Sequence, residues 1–399
     1  MKKWIALALA AMLALLCLSA GADTVIDGIT DRDIWPAGEG DNPPVDGVSP
    51  TTGRTLSGIT LPRGCVGLAA TRRYLPLLVQ IDNTDNGAGY RAPWGLVNAD
   101  IVYESLLRRE GHTRISLLFS DVIPDDIGPV RSARIGHAWL REEWDCAFAY
   151  YGQQEYYRSN VAEEFKRLGA DAKGLIFSGT AGSAAPWKRY YYARKGLVSP
   201  HDKGVSGAGL IGLVDPDYTA PNHVFRFTDD PAVGDPATKI KVDWGRKDYY
   251  AEYQYSATLG AYTRNIRSGK GMEMYRDLDS SSAITFSNVI VQWVDMDWVQ
   301  ETAPVMRLTG DANFFVTWGD GDFVAQGNAD FFMNGVHVTG YWRRLGMNNR
   351  TVFYDANGQE ISLQRGRTII LLFPAVERQV HENRSEPTVL KIQRSVSYE

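Results

Sequence analysis

Cysteine is scarce in this sequence, and an excess of basic residues is absent. Only three of the 399 residues are cysteine, and no two stand close together, so the sequence has neither a zinc knuckle nor a thioredoxin-type redox motif. The formal net charge is −5 at pH 7, whereas nucleic-acid binding needs a basic surface. We therefore expect a protein that binds no nucleic acid.

Motifs for metals and cofactors are missing as well. The six histidines show no ligand spacing, so a dedicated transition-metal site is not expected. The glycines of 207–212 match the dinucleotide fingerprint, but no predicted strand precedes them and Pro216 interrupts the helix that should follow. Asp82 begins a segment similar to a calcium loop, but Pro93 occupies the position of the closing glutamate. We predict no metal and no cofactor.

The sequence also lacks an apolar run long enough to span a membrane. The apolar run at 5–18 follows two lysines and precedes small residues, which predicts a signal peptide at 1–22 and no integral membrane span in the mature chain. Cys17 raises the alternative of a lipid anchor, but Leu16 precedes it where a lipoprotein peptidase requires a small residue. We expect a secreted, extracytoplasmic protein and consider anchoring the weaker alternative.

Two cysteines, Cys65 and Cys146, remain after removal of the predicted signal peptide. They could form one disulfide in an oxidising compartment, or they could stay as two thiols that behave as small apolar residues. A disulfide requires a specific separation that the sequence does not give, so both alternatives stay open.

The composition changes along the chain and predicts a two-domain α+β protein. Residues 23–60 are rich in Gly, Pro, Asp and Thr, which is typical of a flexible linker. Residues 61–235 alternate apolar runs with helical patterns and predict an N-terminal mixed α/β layer domain that carries a polar cleft. Short β-branched and aromatic segments in 236–377 predict a mostly-β C-terminal domain, and the charged residues 378–399 predict a loose tail.

Apolar runs and helical periodicity predict the elements of the N-terminal domain. Strands are expected at 75–81, 100–107, 114–119 and 147–151, and helices at 131–144 and 156–168. In the C-terminal domain the aromatic residues allow two interpretations, either stacking on sugar rings or burial in the core. We favour the core; these residues are Trp293, Trp298, Trp318, Trp342, Tyr249, Tyr250, Tyr253 and Tyr255.

Arginines at the start of the predicted helix are candidates for binding an anion. Arg131 and Arg134 are three residues apart and would share one helical face. Cations are normally placed at the other end of a helix, whereas a helix N-terminus with two guanidinium groups forms an anion site. Arg114 could join them. The alternative is an internal ion network with carboxylates such as Asp82, Asp100 or Glu104, and we weigh both about equally.

Asp82 is expected to end a buried strand and Glu104 to lie within another, and the two carboxylates could serve as general acid and base. The structural alternative, in which Asp82 caps a turn with Asn83 and Glu104 pairs with an arginine, is favoured because acid–base chemistry needs a geometry that a sequence does not show. His201, next to Asp202, is the best candidate histidine base, although a structural role is favoured there too.

Seven segments carry a family resemblance, and they are 76–83, 99–104, 111–114, 127–134, 262–264, 288–292 and 366–368. They resemble the YerB-like family of bacterial envelope proteins, whose biochemical role is largely undefined. Pro200-His201 resembles a later motif of this family in which the next residue is usually Asn, whereas this chain has Asp202. The resemblance covers most of residues 70–375, and it implies two domains and an extracytoplasmic setting but no catalytic residue.

These observations lead to one leading hypothesis and two alternatives. We expect an envelope protein that binds an anionic ligand, such as a peptide carboxylate or a polymer phosphate, and whose partner is a cell-wall component or an envelope protein. The alternatives are a hydrolase or transferase that acts on wall glycan or peptide through Asp82 and Glu104, and a protein–protein scaffold. The ligand-binding residues would be Asp82, Asn83, Glu104, Arg114, Arg131 and Arg134.

Overall fold

A computed structural model describes residues 24–25, 41–83, 92–268, 271–308 and 325–399, and strands dominate these ranges. The strands, β1 to β26 in chain order, are Thr24–Val25, Leu77–Asp82, Ile101–Leu106, Thr113–Phe119, Ala147–Tyr150, Glu155–Tyr156, Ser159–Asn160, Ile176–Ser178, Tyr191–Ala193, Lys203–Val205, Arg226–Thr228, Asp235–Pro236, Lys239–Asp243, Tyr250–Ser256, Ala261–Ser268, Gly271–Met274, Thr285–Phe286, Asn288–Gln300, Ala303–Met306, Ala325–Met333, Val336–Arg344, Val352–Asp355, Ser362–Gln364, Thr368–Gln379, Thr388–Val389 and Ser395–Tyr398.

The described helices are few and short. The α-helices, α1 to α4, are Leu68–Thr71, Ile135–Trp144, Val161–Arg167 and Gly207–Ile211, and 3-10 helices occur at Leu56–Gly58, Leu96–Asn98, Asp171–Lys173 and Pro186–Tyr190. No helix in the described ranges is long and apolar enough to cross a membrane. The predicted contrast between an α/β half and a β half is therefore only loosely matched, because strands dominate both halves.

One sheet of 13 strands runs through both halves of the chain. Its main path is β12-β21-β20-β18-β24-β3-β4-β2-β5-β8, with β19, β22 and β25 attached to it. β3 pairs in parallel with β24, so residues 101–105 lie beside residues 368–372. The two halves that the sequence suggested as domains thus share one hydrogen-bonded sheet.

Burial explains why the central strands form where the sequence predicts them. Every residue of β2, β3 and β4 is buried, which matches their nearly continuous apolar sequences. The predicted bounds of these three strands differ from the observed ones by at most two residues. Strands that are covered on both faces require a further layer on each side of the sheet.

Different elements supply these two layers. On one face lies α2, whose Trp144 indole Nε1 donates a hydrogen bond to Tyr103 Oη at 2.9 Å. On the other face lies a second sheet of seven strands, in the order β1-β26-β13-β14-β15-β16 with β17 beside β15. Trp244 follows β13 of the small sheet, and the centre of its ring lies 4.7 Å from the centre of the Phe373 ring on β24. The result is a sandwich of helix, large sheet and small sheet.

Helix α2 begins later than predicted. We expected it to start at Arg131, but Arg134 is its N-cap residue and Ile135 its first helical residue. The backbone N–H of Arg134 donates to Nδ1 of His137 at 2.9 Å, so the His137 side chain stabilises the start of the helix. Arg131 precedes the helix, and the prediction that Arg131 and Arg134 share a helical face is wrong.

Part of the segment predicted as a flexible linker, 23–60, is packed against the large sheet. Ser49, Thr51 and Thr52 are at most 3% exposed. Thr51 Oγ1 lies 2.9 Å from Ser120 Oγ, and Thr52 Oγ1 donates to Asp121 Oδ2 at 2.8 Å. Composition is misleading here because these short side chains are buried through hydrogen bonds rather than through apolar contact.

The charged segment 378–399, predicted as a loose tail, ends in an ordered strand. β26 pairs with β13 in the small sheet, and Val396 is fully buried. Arg394 Nε lies 2.5 Å from Glu377 Oε1, and both side chains are almost completely buried. The prediction failed because Arg394 of this segment is paired inside the fold with Glu377 of β24.

Most of the aromatic residues that could have stacked on sugars belong to the core, as favoured from the sequence. Trp298 and Tyr253 are 0% exposed, and Trp293, Trp342 and Tyr249 are at most 5% exposed. Tyr250 and Tyr255 are partly buried, and Trp318 lies outside the described residues.

The two cysteines of the described chain are free thiols. Cys146 is buried, and this burial raises the pKa of its thiol to about 12. Cys65 is only partly buried. The sequence left open a disulfide or two separate thiols, and the structure contains two separate thiols.

Candidate functional site

The strand register places the predicted site residues on two faces of the large sheet. Asp82 on β2 lies opposite Arg114 on β4, and Arg114 lies opposite Ser105 on β3. Directly opposed residues point to the same side, so these three share one face. Glu104 lies opposite Ile115 and therefore points to the other face. Asp82 and Glu104 are thus badly placed to act together as acid and base.

Glu104 is part of an internal hydrogen-bond network. It is 0% exposed, and Arg264 Nη2 donates to its Oε2 at 2.7 Å. Its Oε1 accepts hydrogen bonds from Thr113 Oγ1 at 2.8 Å and from Asn83 Nδ2 at 2.9 Å. Asn83 and Glu104, both expected to bind ligand, are therefore engaged in a structural role on the face covered by the small sheet.

Arg264 joins the two sheets through this network. It extends from β15 of the small sheet, is 0% exposed, and its guanidinium carbon lies 4.3 Å from the centre of the Tyr275 ring. Burial alone would lower the pKa of Arg264, but the adjacent Glu104 carboxylate raises that pKa well above its usual value. The two side chains form a buried, charged pair that fixes one layer against the other.

Arg114 lies on the opposite face without such a partner. It is 3% exposed, and its Nε and Nη1 have no hydrogen-bond partner among the described residues. Burial lowers the pKa of Arg114 to about 10; Asp82 opposes this effect, whereas Arg131 and Arg108 reinforce it. A buried guanidinium surrounded by like charges is energetically costly, so its position requires an explanation.

Two further arginines lie close to Arg114. Burial, followed by the charge of Arg114, lowers the pKa of Arg134 to about 9, and the buried Nε of Arg134 has no hydrogen-bond partner among the described residues. Arg131 donates from Nη1 to the carbonyl oxygen of Pro200 at 3.2 Å, and its Nε lies 3.6 Å from Asp82 Oδ2. We refer to Arg114, Arg131 and Arg134 as the arginine cluster.

His137 supports the arginine cluster from α2. It is 1% exposed, and burial, followed by the charges of Arg134 and Arg114, lowers its pKa well below the usual value. The imidazole is therefore neutral at physiological pH. Its Nδ1 accepts the Arg134 N–H, and its Nε2 lies 3.3 Å from Ser105 Oγ. His137 was not among the predicted site residues, because a capping box is recognised by Ser or Thr followed three residues later by Glu or Gln, and Arg134 and His137 do not match that pattern.

A histidine and a carboxylate meet at the edge of the arginine cluster. His201 Nδ1 lies 2.5 Å from Asp82 Oδ2, and both residues are at most 8% exposed. His201 is brought there by the loop between β9 and β10, and the Asp82 backbone N–H donates to the Pro129 carbonyl at 2.9 Å. Among the described residues, Asp82 orients His201 and faces Arg131.

The structure therefore divides the six predicted ligand-binding residues into two groups. Asp82, Arg114, Arg131 and Arg134 lie on one side of the large sheet, together with His201. Asn83 and Glu104 lie on the other side with Arg264. The first group offers several guanidinium donors against a single carboxylate, Asp82, which is an arrangement suited to binding an anion.

Fold and site together define a strand-rich protein with a buried arginine cluster beside a histidine–carboxylate pair. Residues 66–205 match the family model described as "Protein of unknown function (DUF3048) N-terminal domain", and residues 240–370 match the C-terminal domain of the same family. The chain belongs to this family, and the YerB-like resemblance is confirmed for both domains. The matched ranges include the arginine cluster, His201, Glu104 and Arg264.

Two comparisons with single proteins agree with this assignment. The chain is 26% identical over 223 residues to the Bacillus subtilis (strain 168) protein described as "Putative lipoprotein YerB". That alignment covers 54% of this chain and 61% of the relative, so the chain spans less than two thirds of the relative's length. The crystal structure of the YerB protein from Bacillus subtilis matches with a TM-score of 0.61 at 18% identity, over 86% of this chain and 99% of that one. At this identity the match supports the fold alone.

Proposed function

We propose that this protein binds an anionic ligand through the arginine cluster and acts as a non-catalytic binding or accessory protein of the bacterial envelope. The observation that carries the proposal is the state of Arg114. It is 3% exposed and surrounded by other arginines, and two of its guanidinium nitrogens lack a hydrogen-bond partner among the described residues. A bound anion would supply both the missing acceptors and the missing negative charge.

The chemistry of the site favours a carboxylate or a phosphate group. A guanidinium carries five N–H donors in a planar fork, which matches the two oxygens of either group. Asp82 neutralises only part of the positive charge, and its Oδ2 is already close to His201 and Arg131. The ligand group would therefore lie nearest Arg114 and Arg134, where no ion pair to a carboxylate exists among the described side chains.

The proposed setting is the cell envelope, with the chain secreted after loss of a signal peptide. The N-terminal sequence and the relative described as a lipoprotein support this setting. The abundant anions there include the carboxylates of wall peptides and the phosphates of wall polymers. A cell-wall component or an envelope protein that carries such groups is the proposed partner.

Isothermal titration calorimetry tests this proposal. The probes are inorganic phosphate, a glycerol phosphate polymer and wall peptides with free carboxylates, each at two salt concentrations. We expect one of these to bind, and Arg114→Gln or Arg134→Gln to weaken binding about 10-fold or more, because a hydrogen bond to a charged group contributes about 1.5 to 3 kcal/mol. Arg365→Gln removes an arginine that pairs with exposed Asp229, and this control should bind normally.

Two results would reject the proposal. The first is that none of the probes binds to the folded protein. The second is that binding survives both Arg114→Gln and Arg134→Gln while their circular dichroism spectra match that of the unsubstituted protein. If these variants bind less only because they unfold, the salt dependence of the unsubstituted protein decides, since an anion held by arginines must bind more weakly as salt increases.

A hydrolase or transferase of wall components is the second candidate, and one distance favours it. His201 Nδ1 lies 2.5 Å from Asp82 Oδ2, and a histidine oriented by a carboxylate can act as a general base. The pairing of Asp82 with Glu104 that we considered from the sequence receives no support, because the two residues lie on opposite faces. Mass spectrometry of wall fragments after incubation would show new products, lost in His201→Gln, if this candidate is correct.

A further inference from the structure

A cavity of about 580 Å³ opens on the large sheet where β3 begins, away from the arginine cluster. Its wall contains two carboxylates, Asp100 and Asp121, and the hydroxyl and amide groups of Thr52, Thr55 and Asn98. This volume lies within the range of about 300 to 1,000 Å³ that is typical of small-molecule sites. The polar wall favours a hydrophilic ligand.

The two carboxylates are unequally satisfied. Asp100 Oδ2 accepts hydrogen bonds from Ser120 N at 2.6 Å, Ser120 Oγ at 2.7 Å and Asp121 N at 3.0 Å. Asp121 Oδ2 accepts one from Thr52 Oγ1 at 2.8 Å. Asp121 Oδ1, however, has no hydrogen-bond partner in the described part of the chain, although Asp121 is 2% exposed and lines the cavity. A buried acceptor without a donor is costly, and a ligand donor would remove this cost.

The charge state of the pair points the same way. Burial, followed by the charge of Asp121, raises the pKa of Asp100 to about 8, and burial also raises the pKa of Asp121. Near neutral pH Asp100 therefore retains its proton. A positively charged donor placed at Asp121 would favour the ionised form of that carboxyl and so oppose the effect of burial.

Arginine side chains at the cavity wall differ in their availability. Arg367 donates to the backbone carbonyls of Ala99 at 2.8 Å and Thr285 at 2.9 Å, so it is engaged in the fold. Arg54 is exposed, and its guanidinium makes no hydrogen bond or ion pair among the described residues, although its charge acts on Asp121. The cavity thus offers an unpaired acceptor at its wall and an unpaired cation beside it.

We infer that this cavity binds a small zwitterion, such as a free α-amino acid or a dipeptide. The ammonium group would donate to Asp121 Oδ1, and the carboxylate would accept from Arg54. The threonine hydroxyls and Asn98 would contact the remaining polar atoms of the ligand. This second site involves none of the residues of the arginine cluster and does not depend on the anion-binding proposal.

Calorimetry with a panel of free amino acids and dipeptides tests this inference on the full mature chain. At least one member should bind, and its N-acetyl derivative and its C-terminal amide should each bind about 10-fold more weakly or worse, because each removes one charge-assisted contact. Asp121→Asn and Arg54→Gln should cause losses of the same size. Glu163→Gln on α3 and Arg189→Gln are controls, since both residues are exposed and neither lines the cavity.

Three outcomes would overturn the inference. These are the absence of binding by every panel member, equal binding of the N-acetyl derivative, and undiminished binding in both Asp121→Asn and Arg54→Gln. The chemically blocked ligands are measured on the unsubstituted protein, so the test remains decisive even if a variant fails to fold. Failure of the panel would leave the response to phosphate and wall polymers unaffected, so the two proposals can fail separately.

Discussion

On one face of the large sheet, Arg264 lies 2.7 Å from the Glu104 carboxylate, whereas on the other face Arg114 has no carboxylate at ion-pair distance among the described residues. Both arginines are at least 97% buried. The neighbouring charges differ: Glu104 raises the pKa of Arg264, and Arg131 and Arg108 add to the effect of burial that lowers the pKa of Arg114. The same side chain is thus stabilised on one face and destabilised on the other.

The difference teaches how to separate structural charges from functional ones. A buried ion pair accounts for its own position, because removing one partner would leave the other as an uncompensated buried charge. The ion pair makes the difference here, because Nε and Nη1 lack a hydrogen-bond partner among the described residues in Arg264 as well as in Arg114. A buried, unpaired charge lowers the stability of the free protein, so we interpret its presence as a sign of ligand binding. Sequence proximity does not make this distinction, because Glu104 and Arg114 belong to the same segment.

Breaking the paired face should give the largest effect. Glu104→Gln leaves Arg264 buried without a negative partner, and we expect the free energy of unfolding to fall by about 3 to 5 kcal/mol. Urea denaturation followed by tryptophan fluorescence measures this change. A loss below about 1 kcal/mol would show that the Tyr275 ring, rather than Glu104, holds Arg264. The double variant Glu104→Gln with Arg264→Met should recover part of the loss.

The neighbouring acidic residues Asp100 and Asp121 extend the comparison from arginines to carboxyl groups. The native state keeps the Asp100 proton up to about pH 8, whereas the unfolded chain releases it near pH 4, so this group lowers stability as the pH rises between these values. Asp100→Asn imitates the protonated form. Its stability relative to the unsubstituted protein should increase by about 4 kcal/mol from pH 5 to pH 8, at about 1.4 kcal/mol per pH unit. A difference that is constant with pH, measured by urea denaturation, would contradict this assignment.

Removing the unpaired charge of Arg114 should raise the free energy of unfolding, whereas breaking the pair of Glu104 and Arg264 should lower it. Arg114→Met replaces a buried guanidinium in a positive environment with an apolar chain of similar length, and we expect a gain of about 1 kcal/mol in the free energy of unfolding. Thermal and urea denaturation at low salt would measure it. Anion binding should be lost in the same variant, and a clear loss of stability would show that Arg114 is structural like Arg264.

An ion pair at the surface should have the smallest effect on the free energy of unfolding. Arg365 Nε lies 2.8 Å from Asp229 Oδ1, and the Asp229 side chain is 81% exposed. Asp229→Asn should change the free energy of unfolding by less than about 0.5 kcal/mol, because water and salt screen exposed pairs. A larger effect in urea denaturation would mean that distance alone, and not burial, determines what these ion pairs contribute.

The sequence predicted the strands around the site because each is an apolar run with a clear end. It also identified Arg114, Arg131, Arg134, Asp82 and His201 as candidates from their residue types. It could not predict that Asp82 and Glu104 lie on opposite faces. That result depends on β4 lying between β2 and β3 and on the register of both pairings, which are properties of the assembled sheet.

Contacts between residues far apart in the sequence could not be predicted either. Arg264 meets Glu104 from a position 160 residues along the chain, and no local pattern indicates such a pair. The start of α2 was misplaced because Arg131 fits the helical spacing, while the His137 ring fixes the actual start. Thr51 and Thr52 resembled a linker because their burial depends on hydrogen-bond partners in a distant segment, Ser120 and Asp121.

The pairing of β3 with β24 has a consequence for how the chain reaches its native state. Residues 101–105 complete their hydrogen bonds only when residues 368–372 are present, so one edge of β3 stays open until almost the whole polypeptide is available. Such a high contact order predicts slow folding, and it makes the N-terminal segment alone prone to pair with other chains. A chain truncated before Thr368 should therefore aggregate rather than yield a soluble half, and sedimentation of such a fragment would reveal it.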